Sequence, residues 1–270
     1  MRTELARAKI NLTLHVGRVI KDPHDPFCNY HPLDSLVVFA DIGDFVTLQK
    51  AEIPGLTITG PFSEHLSATP DNLIMRALSV ADEAPCHVTL EKNLPIAAAN
   101  AAAILRLLNL TDPHIAIDLG ADVPVCLVSS TAHMTGIGED VTPLPGLGRL
   151  YALLVNPGVA VSTADIFRAF DSSAPRDTPR PQKPDGSLLE RALDGRNDLE
   201  SIAIAKEPVI GNVLAALSRQ TGCQLARMSG SGATCFAIFD NETHQGQAEQ
   251  AIKNEHPDWW VARTRLGETS

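Results

Sequence analysis

Leu119-Gly120-Ala121-Asp122-Val123-Pro124-Val125-Cys126-Leu127 is the stretch on which the reading of this chain turns. It sets one carboxylate, Asp122, in a short apolar turn where a solvated surface acid has no reason to be. Taken alone, an Asp after Gly-Ala reads as a turn residue bonding its own backbone at a helix end. A chemical reading needs two other stretches to fold back onto it: Lys9 on the first strand, and Ser229-Gly230-Ser231-Gly232 near the end.

Working outward, Asp112-Pro113 is an N-cap followed by proline at the first helical position, so a short helix should lead into the Asp122 turn. Upstream, Leu94 to Leu108 is alanine-rich and strongly helix-forming, and its small side chains would let another group approach the backbone. Cys86 to Glu91 reads as a strand, and Asn72 to about Glu83 as a helix capped by Asp71 and ended by Pro85. At the start, Ile10, Leu12, Leu14 and Val16 alternate with Asn11, Thr13 and His15, the period of a half-buried strand. Lys9 and Asn11 then share the face opposite the core, where a lysine is ordinarily a solvated edge charge. Leu36–Phe39 and Phe45–Leu48 read as two further strands of one antiparallel sheet.

Downstream, Pro143 to Gly148 shifts to turn formers before a strand at Tyr151–Val155, a plausible domain boundary. Ser162 or Thr163 can start a helix carrying Phe167. Ser172 to Ser187, rich in proline and charge, reads as a surface loop that can serve as a lid. Helical stretches follow from Asn197 and around Val209–Leu217. Then come strands at Leu225–Met228 and Thr234–Phe239 around the glycine turn, a helix from about Thr243 and a last strand near Trp259–Thr264.

The chain has 270 residues, 44% of them hydrophobic and 20% charged, which suits one large or two modest globular domains. A net charge of -10 argues against non-specific binding to nucleic acid, so an anionic substrate needs a locally positive pocket. The five cysteines, Cys28, Cys86, Cys126, Cys223 and Cys235, form no C-x-x-C pair and are odd in number. Neither a disulfide framework nor a zinc site is expected, and a reducing cytosol is the simplest compartment. The N-terminus lacks a signal-peptide run, and no stretch approaches the roughly 18 apolar residues of a membrane helix. A cytoplasmic protein acting on a small molecule is the expectation, with no membrane or nucleic-acid partner.

Ser229-Gly230-Ser231-Gly232 lies between two strand-like runs. Its glycines remove side chains that would keep a phosphate from the main-chain N–H groups, although a plain flexible hairpin fits the same residues. Together with Asp122 and Lys9 it supplies what phosphoryl transfer to an alcohol requires: a carboxylate for the hydroxyl proton, a cation near developing charge, and backbone donors for phosphates.

Six pieces occur in order along the chain: Ala8-Lys9-Ile10-Asn11-Leu12, Tyr30-His31-Pro32-Leu33, Glu91-Lys92-Asn93-Leu94-Pro95, Leu119-Gly120-Ala121-Asp122-Val123-Pro124, Asn197-Asp198-Leu199-Glu200 and Ser229-Gly230-Ser231-Gly232-Ala233. With these the chain resembles the GHMP kinase superfamily, in its branch that phosphorylates a cytidine-diphosphate-linked polyol on the non-mevalonate route to isoprenoid precursors. The resemblance implies an α/β (α+β) fold of two domains, 1–148 and 149–270, with the active site in the cleft between them. It implies ATP with accompanying Mg2+, and no metal-ligating residue set of the protein's own. It makes Asp122 the catalytic base and Lys9 its cationic partner. Asn11, Tyr30, His31, Thr163 and Phe167 become substrate residues, Tyr30 stacking on the cytosine and His31 bonding its edge. Pro95, Ala97, Ala98, Asn100, Gly230, Ser231 and Gly232 become ATP residues.

Two departures stand out. Asn29 occupies a position where the family has glycine, which Asn tolerates because it accepts a left-handed backbone. More consequentially, the family carries a glycine- and serine-rich loop after Pro95 that wraps the ATP phosphates at a helix N-terminus. Here Ile96-Ala97-Ala98 runs directly into Ala99-Asn100-Ala101. Either the protein lacks that loop or the 270-residue sequence omits residues of a longer chain; the mobility of glycine-rich loops without nucleotide favours omission. Two rivals follow: a non-catalytic cytidine-ligand binding protein without the phosphate loop, and another GHMP small-molecule kinase, against which Tyr30-His31 speaks.

Overall fold

The computed structural model describes residues 1–64, 66–69, 71–80, 85–95, 98–172 and 185–268. In chain order its elements begin with β1 (Arg2–Asn11), β2 (His15–Val16), β3 (Leu33–Lys50), β4 (Gly55–Thr59), α1 (Leu73–Ser79), β5 (Cys86–Glu91), α2 (Ala98–Leu107), α3 (Pro113–Leu119) and α4 (Val123–Val128). They continue with β6 (Ala132–Gly136), β7 (Asp140–Pro143), β8 (Arg149–Asn156), α5 (Thr163–Asp171), α6 (Leu188–Asp194), α7 (Glu200–Lys206), α8 (Val209–Ser218), β9 (Cys223–Met228), β10 (Cys235–Phe239), α9 (Glu242–Glu255) and β11 (Trp260–Gly267). Their packing divides the chain into two compact units, residues 1–9 with 39–130, and residues 10–38 with 131–270. Neither unit is one continuous segment. Thr131–Gly148 belongs with the second unit because β6 pairs antiparallel with the Leu33–Val37 end of β3, whereas the sequence places a boundary at Gly148.

In the first unit, Ala6 and Ala8 alternate inward along β1, and β3 pairs antiparallel with β5, which takes β4 as a parallel neighbour. The Leu36–Phe39 and Phe45–Leu48 segments, expected as two strands, are one strand, β3. Gly43 makes this continuity possible, since a Cβ there would stand 2.4 Å from the Ala6 carbonyl oxygen, so only glycine lets β1 and β3 approach so closely. Asp44, one residue on, is buried and fully used. Its Oδ2 accepts from Lys92 Nζ at 2.6 Å, and its Oδ1 accepts the N–H groups of Asn93 at 2.7 Å and Leu94 at 2.9 Å. This pair fixes the course of the chain into Pro95. Burial pulls the Lys92 ammonium down from its ordinary value, and Asp44 opposes that pull.

Helix α2 packs on α1, α3 and α4, burying Ala101, Ala102, Ala103, Ile104 and Leu105 completely. Asp112 caps α3 as expected, its side chain accepting from His114 N–H at 2.8 Å with Pro113 at the first position. The cap of α1 is Asn72, whose side chain accepts from Ile74 N–H at 2.9 Å, and not Asp71. That helix ends at Ser79; the expected extension toward Glu83 falls outside the described residues.

In the second unit, β8 lies between β11 and β10, and β10 pairs with β9, all antiparallel. Helices α8 and α9 pack on this sheet over a core that includes Leu153, Val155, Val213, Leu217, Ala237 and Ile252. The expected strand from Ile10 to Val16 breaks after Asn11, and only His15–Val16 resume pairing with β3. Its polar face is no solvent face, because Asn11, Thr13 and His15 are all buried. Ser162 caps α5 and Ser187 opens α6 with a capping box to Glu190. Most of the loop expected between Ser172 and Ser187 lies outside the described residues.

Candidate active site

The first unit brings Lys9 and Asp122 together. Lys9 points from near the end of β1, and its ammonium donates to Asp122 Oδ1 at 2.6 Å. Asp122 stands at the N-cap position of α4, yet its carboxylate makes no capping bond, so the backbone-bonding account does not hold. Among the described residues its second oxygen, Oδ2, has no hydrogen-bond partner. The Asp122 side chain is 46% exposed against 12% for Lys9, so Lys9 is no solvated edge charge, and the pair presents a held carboxylate to solvent. Beneath it, burial pushes the Cys126 thiol up to about 12, with Asp122 adding slightly and Lys9 and Arg106 opposing slightly, so this cysteine is no nucleophile.

Of the expected ATP residues in this unit, Pro95 is half-buried and follows the Asp44–Lys92 anchor. Ala97 lies outside the described residues. Ala98 begins α2, and Asn100, in its first turn, is buried with an Oδ1 that has no hydrogen-bond partner among the described residues. A buried acceptor without a donor has an energetic reason to take one from a ligand or water.

The second unit gathers the remaining candidates into two groups. One surrounds the glycine turn between β9 and β10. Asn11 donates its backbone N–H to Ser229 Oγ at 3.1 Å and its side-chain amide to Ser35 Oγ at 2.8 Å. Asn11 Oδ1, near Gly230, is buried without a partner among the described residues. Thr163 Oγ1 and Ser231 Oγ lie 2.8 Å apart and share a hydrogen bond. Gly230 at φ 60 and Gly232 at φ 95 take the left-handed backbone that favours glycine. Within the turn, Ser229 N–H donates to Thr234 O and Gly232 N–H to Ser229 O. The N–H groups of Gly230 and Ser231 have no acceptor among the described residues.

The other group is aromatic. Tyr30 is 51% exposed, while the neighbouring His31 is buried with its ring centroid 5.1 Å from that of Phe167 and 5.9 Å from that of Phe170. His31 Nδ1 lies 2.9 Å from Gly17 O, a pure acceptor, so Nδ1 carries a proton. Nε2 faces Asp171 Oδ1 at 3.4 Å. The protein therefore holds the His31 ring through Nδ1, while Nε2 pairs with Asp171 only when both ring nitrogens carry protons. Asn29, where glycine was expected, adopts φ 72 and leads the chain into Tyr30.

Three participants escaped the sequence reading: Ser229 as acceptor for Asn11, Asp171 facing His31, and Arg227. Arg227 is buried and donates to the carbonyls of Leu12, Ala192 and Gly195 at 2.6, 2.7 and 2.7 Å. Burial lowers its guanidinium from its ordinary value, with Glu200 opposing. Its one signal in sequence is an arginine inside an otherwise apolar strand.

Comparison with known proteins fits this geometry. The family profile described as GHMP kinases C terminal matches residues 182–258. The chain is similar to the 4-diphosphocytidyl-2-C-methyl-D-erythritol kinase of Paracoccus denitrificans (strain Pd 1222), 48% identical over 275 residues, covering 98% of this chain and 97% of that protein. It is 46% identical over 285 residues to the protein of the same name from Cereibacter sphaeroides (strain ATCC 17029 / ATH 2.4.9), covering 98% and 99%. An alignment of 285 positions against a chain of 270 residues contains positions with no counterpart here. A crystal structure of 4-(cytidine 5'-diphospho)-2C-methyl-D-erythritol kinase superposes with a TM-score of 0.78 at 26% identity, covering 99% of this chain and 100% of that one. A homoserine kinase from Cytophaga hutchinsonii, at 17% identity and a TM-score of 0.61 over 97% and 96% of the chains, shares the fold.

Proposed function

The chain belongs to the 4-diphosphocytidyl-2-C-methyl-D-erythritol kinases, a branch of the GHMP kinases, and from that premise we propose how its residues perform the reaction. The chain is a small-molecule kinase. Its proposed reaction moves the γ-phosphoryl group of ATP, with Mg2+ on the phosphates, to the 2-hydroxyl of 4-diphosphocytidyl-2-C-methyl-D-erythritol. The observation that carries this reading is the Lys9–Asp122 pair at 2.6 Å, with the carboxylate half open to solvent.

Asp122 Oδ2 accepts the proton of the attacking hydroxyl while Oδ1 stays bonded to Lys9, which fixes the carboxylate's direction. The Lys9 ammonium also places positive charge beside the oxygen on which negative charge develops, the electrostatic part of catalysis. Asn11 Oδ1, a buried acceptor without a donor, takes a hydrogen bond from a substrate hydroxyl. Tyr30, half exposed, offers an aromatic face to the cytosine, and Phe167 with His31 forms the wall behind it. The free N–H groups of Gly230 and Ser231 serve the phosphates, a role that matters more here because only two residues separate Pro95 from α2.

Replacing Asp122 by Asn keeps size and removes the base. Turnover of the cytidine-diphosphate substrate should fall by about 10²- to 10⁴-fold with folding intact, and a folded variant with full turnover would sink the reading. The short passage from Pro95 to Ala98 favours a second reading, a cytidine-ligand binding protein without phosphoryl transfer. Intact mass and ATP consumption on one preparation separate the two. Turnover at 28.9 kDa establishes a kinase that works without the loop, substrate binding with no turnover at 28.9 kDa establishes the binder, and a heavier chain shows that the loop is present.

A further inference from the structure

Asn197-Asp198-Leu199-Glu200 has no part in the chemistry above, yet its polar side chains are spent on the strands and the turn that carry the proposed site. Asn197 Nδ2 donates to Met228 O and to Gly230 O, both at 2.8 Å, and Asn197 Oδ1 accepts Leu199 N–H at 2.9 Å. Glu200 Oε2 accepts Met228 N–H at 2.8 Å. Asp198 Oδ2 accepts Val16 N–H at 3.0 Å, and its own N–H donates to Leu14 O at 2.9 Å. Asn197 is buried, so these bonds are made away from water.

The bond to Gly230 O decides more than stability. A trans peptide unit points its C=O and N–H to opposite sides. With Gly230 O held against Asn197, the Ser231 N–H turns to the other side, where it has no acceptor among the described residues. Gly230 at φ 60 permits that reversal, and Met228 O, held by the second amide hydrogen, fixes where the turn starts. A side chain that only filled space, or that bonded Met228 O alone, would leave the Gly230–Ser231 peptide free to rotate.

We infer that Asn197 is a positioning residue for the kinase reaction: its two amide hydrogens orient the Gly230–Ser231 peptide so that the Ser231 N–H donates to a phosphate of ATP. This rests on the reading of Ser229–Gly232 as a phosphate-binding turn.

The test is Asn197→Asp, which keeps the shape and the acceptor for Leu199 N–H but removes both donors. Expected is a rise of about ten-fold or more in KM for ATP, the worth of one good hydrogen bond, with KM for the cytidine substrate within about two-fold. If that variant does not fold, Asn197→Ser takes its place, its hydroxyl still able to accept from Leu199. Amide NMR of the wild-type protein titrated with Mg-ATP supplies the second readout. If the Gly230 and Ser231 amides do not move in the wild type, the phosphate-turn reading fails and the inference falls with it. If they move in the wild type and equally in the variant, with KM for ATP unchanged or both KM values raised alike, the turn binds phosphate but Asn197 does not position it.

Discussion

Arg227→Met keeps most of the side-chain bulk and removes every donor that holds Leu12, Ala192 and Gly195 together. The three carbonyls it serves come from the residue after β1, from α6 and from the turn after α6, and the guanidinium is buried, with the Glu200 charge favouring its protonated form. Losing it leaves three carbonyls without that donor, those of Leu12 and Ala192 in buried bonds. Each stranded buried group costs about 1–3 kcal/mol, so the two buried bonds to Leu12 and Ala192 are together worth about 2–6 kcal/mol. A loss in the middle of that range, about 3–5 kcal/mol, is expected. At about 2–4 °C per kcal/mol for a domain of this size class, Tm falls by roughly 6–20 °C. Thermal unfolding followed by circular dichroism measures it, with Arg227→Lys expected between wild type and Arg227→Met because one ammonium cannot span three carbonyls. A Tm drop for Arg227→Met below about 2 °C would show that the carbonyls find other donors and that the guanidinium does not pin these segments.

Burial tends to raise the Asp34 carboxyl, but His133 and His15 outweigh it and bring it to about 2 from 3.8. The resulting stability, about 2 kcal/mol, is present above pH 4 and is lost as pH falls through 2, so Asp34→Asn should narrow its stability gap to wild type over that window; a gap independent of pH refutes the assignment. Asp112→Ala removes the cap of α3 and should cost about 1 kcal/mol in urea unfolding, while Asp71→Ala, which caps nothing, should cost less than half of that. Lys92→Met should destabilise less than Asp44→Leu, because Asp44 also holds the Asn93 and Leu94 N–H groups; the reverse order in chemical denaturation would overturn that account. Alkylation at pH 8, mapped by mass spectrometry, should reach half-buried Cys28 in the folded protein and spare Cys126 and Cys235, whose thiols burial raises far above that pH.

Local signals were legible wherever a residue's own chemistry determines its structure. Asp112-Pro113 specifies the start of α3 without help from elsewhere, and Ser162 specifies that of α5. Asn29 in place of glycine is the same kind of signal, met by φ 72. Where two neighbours offered equal local chemistry, as Asp71 and Asn72 did, sequence reasoning chose Asp71 and missed, because the cap is decided by which backbone adopts the extended conformation, and that is Asn72. The single long strand β3 was hidden because Gly43 and Asp44 look like turn residues; their reason for being in a strand is the close approach of β1 and the buried Lys92.

By itself, then, the sequence determined the family and most helix starts, and it offered the pair Lys9 and Asp122 as the candidate chemical centre and the glycine turn as a phosphate candidate. These rest on residue types and short spacings, which the chain carries at every stage of folding. Only the tertiary structure decided that, among the described residues, Asp122 spends one oxygen on Lys9 and keeps the other free and Asn11 and Asn100 hold acceptors without donors, that the Gly17 carbonyl holds His31 through Nδ1, and that Asn197 and Arg227 grip backbone carbonyls far from them in sequence. A hydrogen bond to a carbonyl carries no mark of its partner in the amino-acid sequence, since every residue has that carbonyl. Which one is met depends on where the folded chain brings it.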